Sequence, residues 1–165
     1  QAKQSLIDAL KIDENNNMIR TNLANLYYRD GDLQNAEKEF KEVIRQEPQY
    51  GLTYYSLGLL FAELGRMDEA EVEMEQAYKL LSSNMRVLYN LSLVYDKNGK
   101  PEKAEKTLLR GLWLEPQNEE LLYTLAFHYV QQKQKPEALQ TINKLNNLFP
   151  NNPNYQNLLE KAEGL

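Results

Sequence analysis

Apolar and polar residues alternate along the chain with the period of an α-helix. In residues 51–84, one apolar stripe at the spacing i, i+3, i+4, i+7 is followed by a break at Gly65 and then by a second stripe. The first stripe is Tyr54, Leu57, Gly58 and Phe61, and the second is Ala70, Met74, Ala77 and Tyr78. This spacing predicts two amphipathic helices. Because glycine fits the left-handed conformation that ends many helices, Gly65 predicts the turn between them.

The same pattern recurs every 34 residues, without insertion or deletion, in four stretches. These stretches are residues 17–50, 51–84, 85–118 and 119–152. Their seventh, eleventh and twentieth positions are always leucine, aromatic and alanine, respectively. These columns contain Leu23, Leu57, Leu91 and Leu125, then Tyr27, Phe61, Tyr95 and Tyr129, and then Ala36, Ala70, Ala104 and Ala138. The fifteenth position is glycine except at Lys133, which we expect to cost about 1 kcal/mol there. A fixed period of this length predicts stacked helical hairpins.

The repeat frame continues beyond both ends of the four stretches. Residues 1–16 match the second helix of a truncated repeat, and residues 153–165 match the first helix of a further one. The polar side chains of 153–165 predict a capping helix, since a terminal repeat needs a polar outer face. We interpret 1–165 as a single array. Because residue 1 is glutamine, we expect the array to be part of a longer protein.

These columns resemble those of the tetratricopeptide repeat (TPR) family across essentially the whole chain. The family signature places leucine and a small residue before a tyrosine, with alanine and proline later. The chain departs from it at the family's tryptophan position, which holds Arg20, Tyr54, Leu88 and Leu122. The resemblance implies an all-α fold, an α-solenoid of about ten helices in antiparallel hairpins that coil into a right-handed superhelix. It also implies a non-catalytic scaffold for protein–protein interaction, with another protein or peptide as partner.

The resemblance also implies which residues line a concave groove, because the family forms this groove from the first helix of each hairpin. Carried over by position, the groove residues are Asn22, Asn25, Tyr28, Tyr55, Leu59, Tyr89, Asn90, Leu93, Tyr123 and Phe127. Tyrosine rings and asparagine amides suit a partner's side chains and backbone. The apolar Leu59, Leu93 and Phe127 stand where the family usually has asparagine, and they favour an amphipathic helix or extended apolar segment. Tyrosine is also common in the family at the position of Tyr55, Tyr89 and Tyr123. For these residues, a structural role and direct contact with a partner are therefore both kept as interpretations.

Two other surfaces are candidate contact sites. Trp113 stands in a column that is usually polar and outward-facing, and either forms a secondary contact or covers the junction with the next repeat. Leu6, Ile7 and Leu10 of the first helix are expected to be short of cover. Self-association into a homodimer through this edge is the alternative function.

Composition and charge narrow the classes of partner that the protein is expected to bind. Of the 165 residues, 42% are hydrophobic and 26% are charged, a balance typical of soluble globular proteins. The net charge is −5, with scattered lysine and arginine residues, which argues against nucleic-acid binding. No apolar run is long enough for membrane insertion. We expect a bacterial scaffold protein, in the cytoplasm or the periplasm.

The sequence offers little material for catalysis. It contains no cysteine, and its only histidine, His128, has no organised carboxylate partner in the sequence. We interpret His128 as packed or hydrogen-bonded rather than as part of a metal site or triad. The acidic run from Asp68 to Glu75 lacks a calcium-binding loop and is interpreted as a solvated helix face. We therefore expect no enzymatic activity, no metal and no cofactor.

Overall fold

The computed structural model describes residues 2–150 and 152–165, and these residues form ten α-helices and no β-strand. The helices are α1 (Ala2–Ile12), α2 (Asn17–Arg29), α3 (Leu33–Gln46), α4 (Gly51–Glu63), α5 (Met67–Leu80), α6 (Met85–Lys97), α7 (Pro101–Leu114), α8 (Glu119–Gln131), α9 (Lys135–Leu148) and α10 (Pro153–Glu163). The predicted all-α fold, with two helices per repeat, is confirmed. Contacts divide the chain into two units, with α1 to α5 in unit 1 (residues 1–82) and α6 to α10 in unit 2 (residues 83–165).

The turn inside each hairpin passes through one residue in the left-handed backbone conformation. This residue is Gly31, Gly65 or Gly99 in the first three repeats, with φ angles of 79°, 72° and 67°. In the fourth repeat it is Lys133, with φ of 59°. An L-residue with a side chain is strained in this region by roughly 1 kcal/mol relative to glycine. The left-handed backbone conformation, and not a side-chain contact, therefore explains why glycine recurs at the fifteenth position of the repeat.

Asparagine side chains cap four helices of the array. Each amide oxygen accepts a hydrogen bond from a backbone N–H in the first turn, which typically stabilises a helix by about 1 kcal/mol. The caps are Asn16 before α2, Asn84 before α6, Asn118 before α8 and Asn152 before α10. Pro101, Pro136 and Pro153 occupy the first or second position of α7, α9 and α10, where the missing N–H is not needed.

Small residues allow the helices of unit 1 to approach one another. Ala24, Ala36 and Ala70 are completely buried. A Cβ atom added to Gly58 of α4 would lie 2.8 Å from Cγ of Met74 on α5. The eighth and twentieth columns are therefore small because two helix backbones meet there.

An ion pair occupies the position in unit 1 where the family usually has tryptophan. Nη1 of Arg20 on α2 lies 2.6 Å from the carboxylate of Glu39 on α3, and both side chains are largely buried. Nη2 of Arg20 donates to the backbone carbonyl of Glu14 at 2.6 Å. The pair supplies partners for charges that would otherwise be buried at a cost.

One core cluster of unit 2 is formed by apolar residues of α7, α8, α9 and α10. Its members include Leu108, Leu121, Leu122, Leu125, Ala126, Ile142, Leu145, Tyr155 and Leu158. Tyr89 of α6 packs against this cluster. Gly111 stands where the family usually has alanine, and a Cβ atom there would lie 2.6 Å from Cδ1 of Leu121. The Leu121 side chain thus explains why residue 111 is glycine and not alanine.

Candidate functional site

Two first helices of unit 2 each carry a tyrosine followed, one turn later, by a large apolar residue. These pairs are Tyr89 and Leu93 on α6, and Tyr123 and Phe127 on α8. Residues four apart lie on the same side of a helix. Leu93 is 36% exposed and Phe127 is 38% exposed, whereas Leu125 of the same helix is 4% exposed. We call Tyr89, Leu93, Tyr123 and Phe127 the α6–α8 face.

Asn90 lies beside this face and is half-buried. Its Nδ2 donates to the backbone carbonyl of Arg86 at 2.8 Å, one turn earlier in α6. This bond holds the amide group against its own helix.

A pocket of about 380 Å³ adjoins the α6–α8 face at the N-terminal ends of α8 and α10. Tyr89 and Tyr123 both line it, so the structure brings these two predicted groove residues to one site. Among its other lining residues are Glu119, Glu120, Asn152 and Tyr155. We call this site the Tyr–Glu pocket.

Tyr155 was absent from the sequence-based prediction, yet it organises the Tyr–Glu pocket. The residue is 1% exposed, and its ring centroid lies 6.1 Å from that of Tyr123. Its hydroxyl donates to Oε1 of Glu119 at 2.5 Å, and Nδ2 of Asn152 donates to the same oxygen at 3.3 Å. Burial and the hydrogen bond to Glu119 raise the pKa of Tyr155 to about 12. The hydroxyl therefore remains a donor at neutral pH and fixes the Glu119 carboxylate.

The described lining of the Tyr–Glu pocket is acidic. It contains two carboxylates, those of Glu119 and Glu120, and no lysine, arginine or histidine. Glu120 is exposed, and its backbone carbonyl accepts a hydrogen bond from Oγ1 of Thr124 at 2.7 Å. Aromatic rings beside carboxylates suit a ligand that carries a positive charge.

The predicted groove residues of unit 1 present a different surface. Asn22 and Asn25 on α2 are exposed, and Tyr55 and Leu59 on α4 are half-buried. Tyr28 is also half-buried, and burial together with a hydrogen bond to Glu63 raises the pKa of Tyr28 to about 12.

Asn22 lines a smaller pocket of about 230 Å³, together with Met18, Thr21 and Tyr50. A role of these unit 1 residues in partner binding stays a prediction.

Trp113 on α7 is 71% exposed. The guanidinium carbon of Arg110 lies 4.6 Å from the centroid of its ring, one turn earlier on the same helix. Most of the indole is therefore open to solvent. A secondary contact through Trp113 stays a prediction.

The expected self-association edge differs from the prediction at one residue. Leu10 is 9% exposed and belongs to the buried core of unit 1, so the expectation that it lacks cover is wrong. The neighbouring helix α2 contacts α1. Leu6 and Ile7 are half-buried, as expected for residues with part of their surface uncovered.

His128 has a carboxylate partner that the sequence did not reveal. The residue is 1% exposed, and Nδ1 lies 2.9 and 3.1 Å from the carboxylate oxygens of Asp96 on α6. The two residues belong to successive repeats, so a register argument between first helices could have paired them. The interpretation of a hydrogen-bonded histidine is confirmed. Within 2–150 and 152–165, there is no cluster of three or more His, Cys, Asp or Glu side chains suited to a metal.

The acidic run on α5 is only partly solvated. Glu71 is 7% exposed, which corrects the interpretation that the whole run is a solvated face. Burial raises the pKa of Glu73. The guanidinium of Arg66 pairs with the carboxylate of Glu69 at the start of the helix. The run thus contributes to packing and ion pairing in unit 1.

The described helices include none with the length and apolar character needed to cross a membrane.

Stacked hairpins of fixed length, with a glycine turn and small residues at the helix contacts, define a helical repeat protein. Three family models described as tetratricopeptide repeat match residues 21–85, 86–118 and 112–162. The chain belongs to the tetratricopeptide repeat family.

Solved structures share this fold. The chain is similar to MamA, with a TM-score of 0.80 and 21% identity over 98% of this chain and 87% of that chain. It is similar to YrrB, described as a TPR protein with an unusual peptide-binding site, with a TM-score of 0.79 and 18% identity over 98% of this chain and 92% of that one. A tetratricopeptide repeat protein from Parabacteroides merdae gives a TM-score of 0.79 and 24% identity over 99% of this chain and 61% of that chain. No curated protein matches the sequence.

Proposed function

We propose that the protein is a non-catalytic interaction module that binds a partner protein or peptide through the α6–α8 face. The observation that carries this proposal is the exposure of Leu93 and Phe127, each one turn from a half-buried tyrosine on a first helix. Equivalent positions in two successive repeats thus present the same combination of aromatic and apolar surface. An extended or helical segment that spans two repeats would contact both.

Burial of this surface would contribute to affinity. Complete burial of an exposed leucine or phenylalanine contributes about 1.5–3 kcal/mol. Leu93 and Phe127 are 36% and 38% exposed, so a partner would gain a fraction of that amount at each. The tyrosine rings add contact area with little loss of side-chain freedom, which is why tyrosine is enriched among residues that dominate binding energy.

The comparisons support an interaction module in general terms. The family is built from hairpins that leave a repeated helix face available, and YrrB is described as having a peptide-binding site. A partner for this chain is inferred from its own exposed residues and not from those proteins.

A capture experiment with matched variants tests the proposal. The parent chain, a Leu93→Ala/Phe127→Ala variant and a Val72→Ala/Leu109→Ala control would be immobilised and exposed to a lysate of the source organism. Val72 on α5 and Leu109 on α7 are 57% and 46% exposed, so the control removes at least as much exposed apolar surface, from the second helices of two repeats. Circular dichroism would first establish that all three are folded.

We expect a protein that the parent and the control retain and that the Leu93→Ala/Phe127→Ala variant loses. Equal retention by all three would contradict the proposal. Loss from the control as well would show that capture depends on exposed apolar surface in general, and would also contradict the proposal.

Self-association through the first helix is the second candidate function. Leu6 and Ile7 are half-buried, and the nearby Ile12 and Met18 are 89% and 73% exposed, which adds apolar surface in unit 1. Sedimentation equilibrium over a range of concentrations tests it. A dimer that a Leu6→Asp/Ile7→Asp variant abolishes would support this function, and a monomer at every concentration would exclude it.

A further inference from the structure

The Tyr–Glu pocket has features that the binding of an apolar segment does not use. Its volume of about 380 Å³ lies beside the α6–α8 face, and Tyr89 and Tyr123 belong to both. A segment bound along this face would therefore pass the mouth of the pocket. A side chain of that segment could enter the pocket beside Tyr89 and Tyr123.

The Glu119 carboxylate is oriented before any ligand arrives. The Tyr155 hydroxyl and the Asn152 amide both donate to Oε1 of Glu119. Neither bond uses Oε2. Donors that fix one oxygen leave the other available to accept hydrogen bonds from a ligand at little further cost in side-chain entropy.

The two carboxylates of the site favour a cation, because together they outweigh the partial positive charge of about half a unit at each of the α8 and α10 N-termini. Glu119 and Glu120 are adjacent in the first turn of α8, and the described lining contains no basic side chain. The chain as a whole carries a net charge of −5, so its field attracts positively charged segments. Tyr89 and Tyr123 line the pocket, and the face of an aromatic ring attracts a cation.

We propose that the Tyr–Glu pocket binds the guanidinium group of an arginine side chain. The proposal deepens the proposed function, and rests on it, because the arginine would belong to the partner on the α6–α8 face. Arginine fits better than lysine because the planar guanidinium stacks on an aromatic ring and offers parallel N–H donors to a carboxylate. Glu120 supplies the second negative charge from the pocket rim.

The test uses small probes on the full chain, so that no partner needs to be known. N-acetyl-arginine methylamide would be titrated into the ¹⁵N-labelled protein and followed by amide chemical shifts. The corresponding citrulline derivative is a neutral probe of nearly the same shape, and the lysine derivative is a cation of different geometry. We expect saturable shifts at Glu120, Tyr123 and Asn154 with the arginine probe, and affinity at least about tenfold lower for the other two, since the stacked, paired contacts are lost.

A matched pair of variants tests the role of the Glu120 carboxylate in binding the probe. Glu120 of α8 and Glu137 of α9 both lie in the first turn of a helix, and the backbone carbonyl of each accepts a bond from a threonine hydroxyl four residues later. We expect Glu120→Gln to weaken binding of the arginine probe about twofold to fivefold, the range expected for an exposed ion pair. Glu137→Gln should leave binding unchanged, because Glu137 does not line the pocket. Both side chains are exposed, so both variants should fold.

The outcomes separate this proposal from the proposed function. Equal binding of the citrulline or lysine probe, equal effects of the two variants, or no saturable shift would each overturn the arginine assignment. If that occurred while partner capture still required Leu93 and Phe127, the proposed function would stand. If the arginine probe bound as expected while capture did not depend on those residues, the proposed function would fail and the pocket assignment would remain.

Discussion

The imidazole of His128 on α8 lies 2.9 Å from the carboxylate of Asp96 on α6, and the histidine is buried in unit 2. The pair joins the first helices of two successive repeats. A buried polar group that loses its partner costs about 1–3 kcal/mol. The contact between His128 and Asp96 therefore predicts that loss of the Asp96 carboxylate destabilises the protein. The repeat pattern makes no such prediction.

Asp96→Ala should lower the free energy of unfolding by about 1–3 kcal/mol, because it leaves Nδ1 of the buried His128 without its carboxylate partner. Urea denaturation followed by circular dichroism measures this. Asp68→Ala, at an exposed position of α5, is the control and should change stability by about 0.5 kcal/mol or less. Equal effects of the two substitutions would mean that the buried pair makes no special contribution.

Lys133→Gly should stabilise the protein by up to about 1 kcal/mol, because residue 133 has a φ of 59°, a conformation that glycine adopts without strain. The equivalent turns in the other three repeats already contain glycine. Lys144→Gly on α9 is the matched control and should destabilise by about 1 kcal/mol, since glycine disfavours a helix interior. A loss of stability at both positions would contradict the strain at Lys133.

Gly51→Ala should destabilise unit 1 by about 1–3 kcal/mol through overpacking. A Cβ atom at residue 51 would lie 2.7 Å from Cγ of Leu81 and 2.9 Å from Cβ of Leu80. The Leu80 Cβ atom is fixed to its helix and cannot rotate away. Gly164→Ala is the control, because an added Cβ there lies no nearer than 3.4 Å to its neighbours. Thermal denaturation should show a lower midpoint for the first variant only.

Stability should fall between about pH 10 and pH 12 as unfolded chains release the proton that folded Tyr155 retains. Burial and the hydrogen bond to Glu119 raise the pKa of Tyr155 to about 12, above its usual value. The contribution is complete below the unfolded pKa and is lost as the pH rises through the folded one. A Tyr155→Phe variant cannot release this proton.

Urea denaturation at several alkaline pH values measures the effect. The free energy of unfolding of the parent should decline more steeply than that of the variant, by up to about 1.4 kcal/mol per pH unit. Parallel curves would show that the pKa of Tyr155 does not differ between the folded and unfolded chain.

Much of the fold follows from local rules applied to the sequence. The helix pairs, the turn at Gly31 and its equivalents, and the proline starts were all predictable, because propensity and periodicity act over a few residues. The left-handed conformation of Lys133 was predictable too, since the repeat register places it in a glycine column.

The candidate site could be predicted only in part. Register identified Tyr89, Leu93, Tyr123 and Phe127 as first-helix surface positions, and the exposure of Leu93 and Phe127 agrees with that. Tyr155 was assigned only to a capping helix, and its contribution to the pocket depends on its contacts with Glu119 and Tyr123. Such contacts depend on side-chain rotamers and on how three helices pack, which no single repeat specifies.

The sequence by itself determined the helical hairpins, their register and their family, because a strict repeat encodes the same local structure each time. The tertiary structure decided which polar groups became buried and paired. It placed Asp96 beside His128, buried Leu10, and withdrew Glu71 from solvent. These outcomes depend on contacts between residues distant along the chain, and the free energy of each contact exists only once the helices have packed.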